Sequence, residues 1–336
     1  MLVFTSSGSG AMESAVANMV RPGDPVMVAS CGKFGERWDE LCQAYGAQTH
    51  HFQAEWGTKI EPADLDRELG EHPDVRVVFT TLSETSTGVV NDAGALAEVA
   101  HSHDALIVLD AVSAAGAVPV RQDDLNLDVV VAGSQKALMS PPGLGFASPN
   151  EAALAHAGER PGGRYYFDWH RTLKGQRAEK PDRPFTPAVG LVRALDVALG
   201  LIEEEGVQQV FERHRLLGSA TRAAAKGMGL DLFGPEDENA NVCTAITLPE
   251  DVDGAKVPGV MRDRHGITIA GGQGKLKGQI CRIAHCGYFG KFDIVMAVAG
   301  LEMTLRELGH DVELGAGVAA AQQVFMDAGV TSGASA

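Results

Sequence analysis

The 336-residue sequence has no apolar run that approaches the roughly 18 residues of a membrane-spanning helix. Lysine and arginine form no long run and the formal net charge is −16, so no basic face is offered to a nucleic acid or an acidic membrane. The five cysteines are odd in number and lack CxxC spacing, which argues against a disulfide framework and a zinc site. We therefore expect a cytoplasmic protein with reduced thiols, no metal, no nucleic-acid partner and no membrane partner.

The composition is that of a folded protein. Hydrophobic residues make up 45% and charged residues 21%, which excludes disorder as a description of the whole chain. The length is sufficient for two domains.

Short apolar runs alternate with amphipathic segments over the first two-thirds of the chain. This alternation predicts βαβ units and an α/β fold with a largely parallel sheet. The predicted strands are Leu2–Thr5, Pro25–Ala29, Val75–Thr80, Ala105–Leu109, Asp128–Ala132 and Gly143–Ala147. The predicted helices between them are Gly10–Val20, Phe34–Tyr45, Pro62–Leu69 and Asp92–His101.

The remaining third of the chain has a different texture. Loop composition around a short helix runs from Gly158 to Pro187, and two long helical patterns follow, at about 188–205 and 207–227. A smaller α+β unit comes next, with strands near Cys243–Leu248, Ile267–Ala270 and Gln279–Ala284 and a helix near Phe292–Leu308. We divide the chain into a large domain (1–204), a small C-terminal domain (205–312) and a C-terminal tail (313–336), frayed from Thr331.

Three chemically distinctive groups follow three predicted strands. They are the Ser/Gly segment Ser6–Gly10, the carboxylate Asp110 and the amine Lys136. Ligands of open α/β sheets collect at the carboxyl ends of strands, so these groups are expected to share one site. Each has an ordinary alternative: a serine-rich helix cap, a capping carboxylate and a solvated lysine. Together they favour a pyridoxal 5′-phosphate (PLP) site, with a phosphate cup, a partner for the pyridine nitrogen and a Schiff-base lysine.

The segment around the lysine resembles a known family. Gly133–Leu138, followed by Pro141-Pro142-Gly143, is similar to the Schiff-base signature of class V aminotransferases, in the alanine–glyoxylate, serine–glyoxylate and serine–pyruvate branch. The resemblance runs from about Val3 to Leu308. Its further pieces are Ser7–Glu13, Glu84–Gly88, Asp110–Ser113 and Arg282-Ile283. It implies PLP fold type I, with a mostly parallel sheet flanked by helices and a smaller C-terminal α+β domain.

The resemblance also implies a role for each matching residue. Lys136 would carry the cofactor and move a proton between the substrate α-carbon and the cofactor. Asp110 would pair with the pyridinium nitrogen, and Arg282 would bind the substrate carboxylate. The other implied cofactor contacts are Ser7, Gly8, Ser9 and Gln135 at the phosphate, Phe34 and Val112 on the ring, Thr85 at the phenolic oxygen, and Thr186 (or Phe185) from the neighbouring subunit of a homodimer.

The implied reaction is a ping-pong transfer of an amino group from a small amino acid to glyoxylate or pyruvate. One alternative is a cysteine desulfurase, which is disfavoured because Gln135 and not histidine precedes Lys136. Another is a non-catalytic or N-terminally truncated homologue. Family members usually have several dozen residues before the phosphate cup, forming an arm at the substrate pocket, whereas this sequence begins with the strand of the cup. We expect either a misplaced start or a naturally short form.

Overall fold

The computed structural model describes residues 1–159, 163–237 and 240–331, so the predicted frayed residues beyond Thr331 lie outside the described residues. The described strands are Leu2–Thr5 (β1), Pro25–Ser30 (β2), Gln48–Gln53 (β3), Val77–Thr81 (β4), Ser83–Glu84 (β5), Val89–Val90 (β6), Leu106–Asp110 (β7), Val129–Gly133 (β8), Leu144–Pro149 (β9), Cys243–Thr247 (β10), Ala270–Gly271 (β11) and Ile280–Ala284 (β12). The described α-helices are Gly8–Met19 (α1), Lys33–Ala44 (α2), Pro62–Glu71 (α3), Ala93–Ser102 (α4), Glu151–Glu159 (α5), Trp169–Gln176 (α6), Val189–Glu205 (α7), Val207–Gly227 (α8), Val257–His265 (α9), Lys291–Glu307 (α10) and Ala316–Thr331 (α11). No helix in these described ranges is both long and apolar enough to cross a membrane.

The central sheet has the strand order β1-β9-β8-β7-β4-β2-β3. All neighbours from β8 to β3 are parallel, whereas β9 is antiparallel to both β1 and β8. The connection from Gly133 to Leu144 contains no helix, and a connection this short suits antiparallel neighbours better than parallel ones. As a result β1, β7 and β8 run in the same direction, and their carboxyl ends meet at one edge.

Both faces of this sheet are covered by helices. On β2, Val26 and Val28 pack with residues of α1, α2, α5 and α6, whereas Met27 and Ala29 pack with residues of α3 and α4. Adjacent strand residues point to opposite faces, so a strand buried on both sides must be apolar at nearly every position. This is why the central strands were predicted from continuous apolar runs.

The edge strand β3 was not predicted. Its sequence, Gln48 to Gln53, is polar, and its residues are exposed or half-buried. Among the described strands it pairs with β2 alone, in parallel register, at the end of the sheet. An edge strand packs less apolar surface than a central one, so its sequence lacks the apolar run that marks the others.

A smaller antiparallel sheet, with the order β10-β12-β11, is packed against α8, α10 and α11. The prediction that residues 313–336 form a tail is wrong for α11, because Ala321 and Phe325 are buried in the same core as Leu217 of α8. The packing is close: a Cβ placed on Gly317 would lie 2.7 Å from the Met228 side chain. Small residues allow this close approach. They give only a weak difference in hydrophobicity between the two faces of the helix, so the sequence did not predict it. The domain boundary at residue 204 stays a prediction.

Candidate active site

The three strand ends border one cavity of about 180 Å³, here called the small cavity. The predicted residues that line it are Ser7, Gly8, Ser9, Phe34, Asp110, Val112, Gln135 and Lys136. They come from the turn after β1, the first turn of α2, and the turns after β7 and β8. The parallel direction of β1, β7 and β8 therefore brings together groups that lie up to 129 residues apart in sequence, from Ser7 to Lys136.

Glycine is required where the turns approach one another. A Cβ on Gly8 would lie 2.7 Å from Cγ1 of Val112, and a Cβ on Gly133 would lie 3.0 Å from Oε1 of Gln135. That Gln135 oxygen is buried without a hydrogen-bond partner in the described residues. A buried amide oxygen without a hydrogen-bond partner destabilises the protein unless a ligand or a water satisfies it. The small cavity is therefore suited to a polar ligand.

The Asp110 carboxylate is 6% exposed at the end of β7. Its one hydrogen bond within the described ranges comes from the backbone N–H of Val112, at 2.7 Å to Oδ1. Burial raises the pKa of Asp110 to about 7, the Val112 N–H and the charges of Arg37 and Lys136 oppose the rise, and the charge of Glu84 adds to it. The carboxylate thus has spare capacity for a cationic partner.

Glu84 is a second buried carboxylate at this edge, and its role was not predicted. Its Oε2 accepts the N–H groups of Phe34 (3.0 Å) and Gly35 (2.8 Å), and its Oε1 accepts the N–H (3.0 Å) and hydroxyl (2.6 Å) of Ser86. The Ser86 hydroxyl oxygen in turn accepts the Lys33 N–H at 2.9 Å. These bonds satisfy the free N–H groups of the first turn of α2 and hold Phe34 at the small cavity. Burial raises the pKa of Glu84, and the hydrogen bonds oppose this rise.

Arg37 also lines the small cavity and was not predicted. It follows Phe34 by one helical turn on α2, so both side chains lie on one face. Nη1 of Arg37 donates to Oγ of Ser9 at 3.1 Å, and the guanidinium carbon lies 5.1 Å from the centroid of the Phe34 ring. The only available signal was the spacing of three residues after an aromatic already assigned to the site.

A large cavity of about 570 Å³ adjoins the same lysine. Lys136, Phe34 and Ser113 line both cavities, whereas Arg282 and Thr85 line only the large one. Arg282, on β12, is 7% exposed. Its Nε donates to the carbonyl of Gly271 at 3.0 Å and its Nη1 to the carbonyl of Thr85 at 2.6 Å, which holds the guanidinium in place.

Two predicted cofactor contacts lie elsewhere in this chain. Thr85 lines the large cavity, whereas Ser83 lines the small one. Thr186 is exposed and borders a separate cavity of about 40 Å³, with Val3 and Phe185. Within one chain Thr186 is therefore not brought to Lys136.

All five cysteines are free, and four are buried. Cys243 and Cys286 line the large cavity, and Cys281 lies in β12. Burial raises the pKa of Cys243 and Cys281 to about 12, which disfavours the thiolate form that sulfur transfer requires. In the described part of the chain, no three His, Cys, Asp or Glu side chains are grouped so that they could hold a metal ion.

The family model described as aminotransferase class V matches residues 1–306. The chain belongs to the class V aminotransferase family. It is 42% identical to the small subunit of a soluble hydrogenase of a Synechococcus strain, over 98% of this chain and 86% of the relative. It is 35% identical to the serine–glyoxylate aminotransferase of Methylorubrum extorquens, over 97% of this chain and 83% of the relative. The ureidoglycine–glyoxylate aminotransferase of Bacillus subtilis superposes with a TM-score of 0.89 at 32% identity, covering 96% of this chain and 84% of that one.

The comparisons confirm the predicted family, the fold-type I architecture and the prediction of a transaminase. They do not favour the alternative of a non-catalytic homologue or a desulfurase.

Proposed function

We propose that this aminotransferase uses PLP to move an amino group from a small amino acid to a small 2-oxo acid, glyoxylate or pyruvate. The observation that carries the proposal is that Lys136 borders both cavities. On one side it faces the cup and Asp110, and on the other it shares a cavity with Arg282. The name of the Methylorubrum relative supports glyoxylate as the acceptor.

The small cavity suits PLP in charge and shape. Ser7, Gly8, Ser9 and Gln135 would hold the phosphate at the start of α1, where helix N–H groups favour an anion. The side-chain amide of Gln135 can present either its oxygen or its nitrogen to such a guest. Asp110 would accept a hydrogen bond from the protonated ring nitrogen, which accounts for its spare hydrogen-bonding capacity.

When bound, PLP supplies an electron sink for negative charge at the substrate α-carbon. Lys136 would anchor the cofactor and then act as the base that takes the α-proton and returns it on the cofactor side. Phe34 and Val112 would hold the ring between them, because both line the small cavity. The ring position is then fixed by packing, and the lysine amine supplies the moving proton.

Arg282 would bind the substrate carboxylate. Two of its three nitrogens donate to backbone carbonyls, and Nη2 has no partner in the described ranges. A guanidinium held in this way has little rotamer freedom left to lose when it binds a carboxylate. The substrate would thus be oriented with its α-carbon towards Lys136, which lines the same cavity.

The rest of the large cavity favours an amino acid donor with a small, uncharged side chain. Beyond Lys136 and Arg282 its described lining is mainly apolar, including Ile267 and Ile269. The one acidic side chain of the lining, Asp293, accepts the Gly290 N–H at 2.7 Å and caps α10. Among the described residues that line the cavity there is no third cation, so a second substrate carboxylate would lack a partner there, and alanine or serine is favoured over aspartate.

A homodimer is part of the proposal. Helix α7 exposes apolar side chains, among them Val189, Val197 and Leu201, and such a surface is suited to burial against another subunit. Thr186 lies three residues before the start of this helix and is exposed. It is therefore free to complete the site of a neighbouring subunit.

The free cysteines support a reducing compartment, and we propose the cytoplasm. No disulfide is present among the five cysteines, and their buried thiols act as small apolar side chains.

Absorbance spectroscopy tests the proposed function. The purified protein with PLP is expected to show a visible band that Lys136→Ala loses. Alanine or serine should convert the band to that of the amino form of the cofactor, and glyoxylate should restore it. A band that no donor shifts would favour the non-catalytic alternative, and no band at all would remove the cofactor proposal.

A further inference from the structure

Arg37 stands out because its guanidinium makes no direct ion pair with the described residues, although its charge acts on the buried Asp110 carboxylate at the same cavity. In the described ranges its guanidinium forms no ion pair, and its recorded contacts are the Ser9 hydroxyl and the Phe34 ring. It is half-buried, at the wall of the small cavity. A half-buried cation without a hydrogen-bonded carboxylate is stabilised further when a ligand brings negative charge within reach of it.

The other groups of the cup are formally neutral. Ser7, Ser9 and Gln135 can donate hydrogen bonds, but a phosphate carries about −1.5 to −2 charges at pH 7. Apart from Lys136, Arg37 is the one cationic side chain in the described lining of this cavity. A planar guanidinium is also well matched to phosphate oxygens.

The bond from Arg37 to Ser9 has a directional consequence. A serine hydroxyl has one hydrogen to donate, and its oxygen accepts from other donors. Because Oγ of Ser9 accepts from Nη1 of Arg37 at 3.1 Å, its own hydrogen remains available for the cavity. The arginine thereby prepares Ser9 as a donor, and its position over the Phe34 ring links the cup to the aromatic wall.

We propose that Arg37 is a cofactor-binding residue that provides the positive charge for the phosphate and orients the Ser9 hydroxyl towards it. The inference rests on the proposed use of PLP by this site. It assigns to α2 two contributions one turn apart, with Phe34 at the ring and Arg37 at the phosphate.

The test compares the binding of PLP and of pyridoxal, which lacks the phosphate, to the cofactor-free protein by equilibrium dialysis. Arg37→Gln should weaken PLP binding roughly 10- to 100-fold, the range for a charge-assisted hydrogen bond. Pyridoxal binding should change by less than about twofold, since only the phosphate contact is lost. Arg67→Gln, an exposed arginine on α3 that pairs with Asp64, is the matched control and should bind both ligands as the wild type does.

The outcomes separate this inference from the proposed function. If Arg37→Gln weakens both ligands equally or neither, Arg37 does not act on the phosphate and the inference is overturned, while PLP binding by the wild type stands. If the wild type binds no PLP, both proposals fail. Circular dichroism checks that the variants are folded. Should Arg37→Gln not fold, Arg37→Lys is measured instead. Its preference for PLP over pyridoxal should fall about threefold or more, because the lysine ammonium cannot reproduce the two-pronged hydrogen bonding of a guanidinium. An unchanged preference would contradict the proposal.

Discussion

The two cavities that meet at Lys136 are built in different ways. The small cavity of about 180 Å³ is lined within residues 7–136, at the ends of the central sheet and on α2. The large cavity of about 570 Å³ takes most of its lining from residues 242–297, around the small sheet and α10. In the described lining, the first is rich in serine hydroxyls and has one side-chain amide, and the second is mainly apolar with one fixed arginine. The small cavity can be encoded in short turns after neighbouring strands, whereas the large cavity depends on how two regions pack.

The two buried carboxylates near the small cavity make the same contrast on a smaller scale. Glu84 accepts four hydrogen bonds from the protein, and Asp110 accepts one. The saturated carboxylate supports the helix that carries Phe34. The unsaturated one is available to a ligand.

The largest effect is expected when the cofactor side is changed at Asp110. Asp110→Asn keeps the shape but removes the negative charge, and kcat should fall roughly 100-fold or more, as when one preorganised electrostatic group is lost. Steady-state transamination measures this, with Asp311→Asn, an exposed carboxylate, as the control. An unchanged kcat would contradict the assigned role.

A smaller effect is expected on the substrate side. Arg282→Gln should lower kcat/KM for the donor about 10- to 100-fold through loss of one charge-assisted contact, with PLP affinity unchanged. The control is Arg264→Gln, a largely exposed arginine of the same region. If Arg282→Gln lowered the affinity for PLP as much as it lowered kcat/KM, binding of the substrate carboxylate and binding of PLP would not be assigned to separate cavities.

The raised pKa of Asp110 predicts how the free energy of unfolding changes with pH. Its folded-state pKa is raised to about 7 from 3.8, so the native state retains a proton that the unfolded state has already lost. The associated stability is complete below about pH 4 and is lost as pH rises to 7. In the cofactor-free protein, the free energy of unfolding should therefore fall more steeply across this window for the wild type than for Asp110→Asn. Urea denaturation at pH 5 and pH 8 measures the free energy of unfolding of both proteins. An equal change between the two pH values in the wild type and in Asp110→Asn would contradict the raised pKa.

The smallest effect on catalysis is expected at Glu84, where the change acts on stability. Glu84→Gln keeps one acceptor oxygen, but its amide nitrogen cannot accept from the two donors that face it, so the free energy of unfolding should fall by about 1–3 kcal/mol. Urea denaturation of the holoprotein measures it, with the exposed Glu203→Gln as control. Complete loss of PLP binding would instead assign Glu84 to the cofactor site.

Much of the small cavity was predictable because its groups stand directly after apolar runs. The bounds of β1 agree with the prediction at both ends, and Asp110 and Lys136 lie where strand and turn meet. A buried strand followed by a polar turn is a local signal, and the direction of parallel strands then brings the turns to one edge. By contrast, Arg37 and Glu84 carry no such signal. A charged residue on a helix or in a short strand is usually solvated. Only the contact of Arg37 with Ser9, and the contacts of Glu84 with the first turn of α2, distinguish these two.

The sequence by itself determined the strand–helix alternation, the three polar strand ends and the resemblance to the family, because each depends on neighbouring residues. The tertiary structure decided that β9 runs antiparallel, that α11 belongs to the core, and that Thr85 lies beside Arg282 rather than in the small cavity. It also decided which charged groups face the cofactor side. These features depend on contacts between residues far apart in the chain, such as Thr85 and Arg282, and local pattern does not specify which distant groups will meet.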